Sequence, residues 1–214
     1  GSPTARFTNP GVEAGARNDV VTVLGATQYL IFDGIVIAHG NRYGIMSWAS
    51  SHITVQQCTL EWNWLDGCIF NSDSGYSHIT VQDSTCRYNG TNGISFTLSG
   101  GTSSHHIIRR NRCYENGKYQ GSDFEPMHTW TGGIKVVGYS GTTYVVVEHN
   151  EVYSNGDPSA TGPSGMGIWF DYAPASSWGD ANVVRNNLIH GNERNGIFLE
   201  SSDHCHVYGN VLYN

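Results

Sequence analysis

The chain is 214 residues long, enough for one domain with a sizeable core and too short to argue for two. Its formal charge is −7 and its 11 Lys and Arg are spread without a basic run, which argues against nucleic acid and anionic membrane as partners and disfavours acidic polymers. With 27 Gly, 12 Tyr, 6 Trp and only 14% charged residues it reads as a turn-rich β protein rather than a disordered chain, and no apolar run approaches a membrane span.

Taken in chain order, residues 1–18 read as an irregular arm or cap, and 19–40, "DVVTVLGATQYLIFDGIVIAHG", as a first coil of short β-like runs. From there the chain is repetitive. Segments beginning Gly-Ile or a near match recur as "GIMSW" at 44, "GCIFN" at 67, "GISFT" at 93, "GIKVV" at 133, "GIWFD" at 167 and "GIFLE" at 196. Each is followed by runs such as "HITVQQ" from 52, "HITVQD" from 78, "YVVVEH" from 144 and "NVVRNN" from 182. An Asn closes each unit, at Asn63, Asn89, Asn116, Asn155, Asn192 and Asn214. Five residues before the first five of these stand Cys58, Ser84, Asn111, Asn150 and Asn187, and three before them the apolar set Leu60, Cys86, Cys113, Val152 and Ile189; in the last unit Asn210 and Leu212 stand four and two before Asn214. The five cysteines follow no zinc or redox spacing and read as small buried residues.

No helix-length amphipathic pattern intervenes, and the Gly-to-Gly spacings of 23, 26, 40, 34 and 29 suit a coil of constant strand length carrying variable loops. The physical solution is all-β: a right-handed parallel β-helix of about seven coils over 19–214, with Asn ladders at its corners and loop insertions. Strands stack at about 4.8 Å, and each corner Asn pairs with the one above and below.

Alternate residues of a strand face opposite ways. With the Ile of each segment inward, two outward columns follow: Met46, Ile69, Ser95, Lys135, Trp169, Phe198, and Trp48, Asn71, Thr97, Val137, Asp171, Glu200. Asp171 and Glu200 then lie one strand spacing apart, at about the separation that a retaining glycosidase requires of its two carboxyl groups. Lys135 lies one coil earlier, near enough to temper both charges, and Trp169 and Phe198 stand beside the acids as apolar platforms. Acids on such a face also serve as plain solubilising charge. The insertions Gly117 to Gly132 and Gly156 to Met166, and the segment Tyr172 to Asn182, border this region and bring Trp130, Tyr172 and Trp178 to it, aromatics suited to the C–H faces of sugar rings. "HCH" at 204 to 206 has no third ligand nearby in sequence, so no metal and no cofactor are expected.

On these Asn ladders and Gly-Ile strands, the chain resembles the right-handed parallel β-helix repeat proteins, a group rich in polysaccharide-acting enzymes and modules. "GIWFD" followed by "GIFLE" is similar to the acid pair of β-helix glycoside hydrolases of the β-xylosidase type. That likeness implies Asp171 as nucleophile and Glu200 as acid/base, although those enzymes are longer and close their pocket with more coils and an extra β domain. A short, acidic, aromatic-rich β-helix also resembles the non-catalytic modules of plant-cell-wall-degrading enzymes, which bind glycans such as xylan. The expectation is a secreted carbohydrate-binding module for a neutral plant polysaccharide, xylan or a related hemicellulose, accessory to a glycoside hydrolase domain of the same polypeptide. Its sugar contacts are Trp169, Phe198, Asp171, Glu200 and Lys135, flanked by Trp48, Trp130, Tyr172 and Trp178; the alternative is a glycosidase using Asp171 and Glu200.

Overall fold

The computed structural model describes residues 18–25, 27–73, 75–98, 100–118, 130–139, 142–160, 162–175, 177 and 179–214. The proposed arm at 1–18 lies, but for Asn18, outside the described residues. Within them the chain forms 21 strands in three parallel sheets of seven, and no helix long and apolar enough to cross a membrane. The first sheet contains Val21–Leu24, Ile45–Trp48, Cys68–Ser72, Ile94–Leu98, Gly132–Gly138, Met166–Asp171 and Ile197–Glu200, in that spatial order. The second runs from Gln28–Asp33 to Cys205–Tyr208 and the third from Val36–Ala38 to Val211–Tyr213. Each coil contributes one strand to every sheet, and seven coils stack into a solenoid.

Register is fixed by what faces inward. Ile45, Cys68, Ile94, Ile134 and Ile168 pair in succession along the first sheet and are fully buried, with Ile197 packed against the same core. In the third sheet Leu60, Cys86, Cys113, Val152 and Ile189 form the apolar column expected from the sequence. All five thiols are free and four are buried. The glycine that opens each repeat is a close-approach residue: a Cβ on Gly67 would meet the carbonyl oxygen of Gly93 at 2.6 Å, and one on Gly93 that of Gly133 at 2.7 Å.

The corners carry the two polar columns. Asn63, Asn89, Asn116, Asn155 and Asn192 form a ladder in which each amide Nδ2 donates to the next Oδ1 at 2.9–3.0 Å. In the second column Asn111, Asn150, Asn187 and Asn210 do the same at 2.9–3.1 Å, and Ser84 accepts from the backbone of Cys58 and donates its own N–H to Asn111. The residue before each corner Asn turns the chain with φ near +55°, as at Trp62, Tyr88, Glu115 and Ser154 and at Arg110, His149 and Asn186, and Asp83 does the same before Ser84. A left-handed non-Gly residue costs roughly 1–2 kcal/mol. The buried amide that follows it offsets this cost by pairing backbone groups that the corner would otherwise strand.

Candidate functional site

The outer face of the first sheet presents the two columns read from the sequence, in the same register: Met46–Ile69–Ser95–Lys135–Trp169–Phe198 and Trp48–Asn71–Thr97–Val137–Asp171–Glu200. Asp171 and Glu200 are therefore direct neighbours on adjacent parallel strands, about 4.8 Å apart at the backbone. The Lys135 ammonium lies 3.3 Å from Asp171 Oδ2 and 3.6 Å from the centre of the Trp169 ring, with both partners' charged ends nearly enclosed. Burial pulls Lys135 down from the usual lysine range, opposed by the charges of Asp171, Asp66 and Glu200. Glu200 carries no ion pair with it.

One expectation is corrected. Trp169 leaves the apolar core, as its alternation requires, but it is no open platform: the ring is 0% exposed. It lies between Trp130, stacked on it at 5.7 Å, and Phe198 at 5.6 Å, with Lys135 against its face. A cation and an indole satisfy one another when desolvated together, which sequence alternation alone does not reveal. The exposed aromatic at this point is Trp130, at 51%, from the insertion before Gly132, while Phe198 is partly buried. Tyr172 is likewise 51% exposed beside the acid pair, its N–H donating to the carbonyl of Glu200 at 2.8 Å. Trp48 is exposed on the Asp171 column four strands away, roughly 19 Å along the solenoid. Trp178, and 119–129 of the longest insertion, lie outside the described residues.

The structure adds residues that the sequence reading passed over. Asp66 is buried on this face and accepts from the Thr91 hydroxyl and from the backbone N and Nδ2 of Asn92 at 2.8 and 2.9 Å. Burial pushes its carboxyl up, and those hydrogen bonds counter the push. The signal was the residue before the repeat glycine, Asp in "DGC" and Asn in "NGI", where an acid beside a corner amide stands out from Gly132 and Met166 in the next coils. Five shielded polar atoms on the same face have no hydrogen-bond partner among the described residues: Asn71 Oδ1, Asn92 Oδ1, Ser95 Oγ, Trp169 Nε1 and Glu200 Oε2. Each such atom costs about 1–3 kcal/mol when left unpaired, and these five share one face of one sheet.

Other groupings resolve into structure. Ser103 and His106 are hydrogen-bonded and buried, but His106 Nδ1 accepts the Ile79 N–H at 3.2 Å, so its proton sits on Nε2 and points at the serine. That tautomer cannot draw a proton from Ser103. The rings His52, His78 and His105, and Tyr114, Tyr153, His190 and Tyr213, stack face to face at 4.6–4.9 Å, each ring inside a row covering its neighbours' faces. Among the described residues no three His, Cys, Asp or Glu converge as metal ligands.

A family model described as a right handed beta helix region matches residues 8–145 and 43–214. Neither the curated proteins nor the solved structures give a match.

Proposed function

We propose, from the premise that this chain belongs to the right-handed β-helix family, that the outer face of its first sheet binds a neutral plant polysaccharide, xylan or a related hemicellulose. In this reading the chain is an extracellular module accessory to a glycoside hydrolase. One observation carries it: five unpaired, shielded polar atoms share a face with the rings of Trp130, Phe198 and Tyr172. A sugar meets both needs at once, because its hydroxyls donate and accept while its C–H faces pack on aromatic rings. Trp130, rather than the enclosed Trp169, is the first stacking surface. The test is affinity electrophoresis in gels containing xylan and other hemicelluloses. Retardation that Trp130→Ala and Phe198→Ala both weaken supports the reading, and unchanged mobility across the panel removes it.

A second reading, a retaining glycosidase, draws on the asymmetry of the acid pair. Lys135 pairs with Asp171 and not with Glu200, so the two carboxyl groups stand in different surroundings at the spacing a retaining mechanism uses. It predicts release of aryl alcohol from aryl β-xylosides, abolished by Asp171→Asn and by Glu200→Gln. Turnover that survives both substitutions discards it.

A further inference from the structure

We propose that this face selects glycans that donate hydrogen bonds and carry no carboxylate, taking neutral hemicellulose chains and turning away uronate-rich ones. The proposal deepens the glycan-binding reading and rests on it.

The first argument is a donor and acceptor count. Of the five unpaired atoms, three are acceptors only, the amide oxygens of Asn71 and Asn92 and a carboxyl oxygen of Glu200, while the Trp169 indole N–H donates and the Ser95 hydroxyl can do either. The Asn92 amide cannot be reversed to offer a donor instead, since its nitrogen is committed to Asp66 at 2.9 Å. A hydroxyl satisfies such acceptors by turning its proton toward them. A carboxylate has no proton to turn, and sets lone pair against lone pair wherever it meets one of the three acceptors, which outnumber the two groups able to donate to it.

The second argument is charge, and it is independent of the first. Asp66, Asp171 and Glu200 bring three carboxyl groups around the ammonium of Lys135, which already lies 3.3 Å from Asp171. The ammonium also rests on the Trp169 ring, so it has no open side to offer an incoming anion. Asp66, Asp171 and Lys135 are each more than nine-tenths buried, and charges so placed are screened weakly by salt. The net formal charge of the whole chain, −7, has the same sign.

Isothermal titration of the full chain with xylohexaose and with hexagalacturonate, at low and at high ionic strength, decides the matter. The expected result is at least about tenfold tighter binding of xylohexaose at low ionic strength, a preference that persists as salt rises because the charges behind it are buried. Glu200→Gln keeps an acceptor oxygen and removes one charge, and narrows the same ratio. Xylohexaose binding with hexagalacturonate equal or tighter overturns the selectivity and leaves glycan binding standing. Binding of neither oligosaccharide overturns both.

Discussion

Replacing Lys135 with Met removes the cation from beneath Trp130 and leaves Asp171 enclosed beside Glu200. At 3.3 Å, and with an effective dielectric of 20, the lost attraction to Asp171 is about 5 kcal/mol before desolvation is counted. Removing one member of a buried pair in other proteins costs about 3–5 kcal/mol, because the remaining charge keeps its desolvation penalty and loses its partner. Lys135→Met is expected to fall in that range, and Asp171→Leu beside it, since each side chain is only about a tenth exposed or less. The double variant Lys135→Met/Asp171→Leu, which removes both charges together, is expected within about 2 kcal/mol of the parent. The assay is urea unfolding of the full chain, with midpoints compared at constant m-value, so that the coupling energy comes from the closed cycle. Single variants that each cost under about 1 kcal/mol, with no coupling, would place the pair with solvated surface charges and refute the burial argument.

Asn155→Ala deletes a rung that accepts from the backbone N and the Nδ2 of Asn116 and donates to Cys113 and Asn192. It should cost about 3–6 kcal/mol by stranding several buried groups, more than Asn210→Ala on the part-exposed last coil, as chemical denaturation will show. Burial holds the imidazole of His106 down at about 3 against 6.5 when unfolded. Its contribution is therefore complete above pH 6.5 and is lost as the pH falls toward 3, with the unfolded chain binding the extra proton. Unfolding free energies at pH 7 and pH 4 should differ by about 3 kcal/mol more in the parent than in His106→Gln, and equal differences reject the assignment. At the corner residue His149, with φ +55°, Gly should be neutral or stabilising while Val costs roughly 1–2 kcal/mol in the same unfolding assay.

Much of the site was legible because a solenoid converts sequence period into spatial neighbourhood. Once the repeat glycines were aligned, the pairing of Trp169 with Phe198 and of Asp171 with Glu200 followed from strand alternation, and the structure has them in that register. The Asn columns were legible for the same reason, as buried amides that recur at a fixed offset have each other as partners. Asp66 and Asn92 were missed because they lie just outside the alternating strand positions, at a corner where the chain leaves regular geometry.

The sequence by itself determined the coil, the register and the identity of the residues on each column, since hydrophobic alternation and corner chemistry are local and repeat. Only the tertiary structure decided which outward side chains meet water. Trp130 folds back onto Trp169, and Lys135 closes on Asp171. Exposure depends on what loops from other coils lay over a surface, and no period in the chain encodes that.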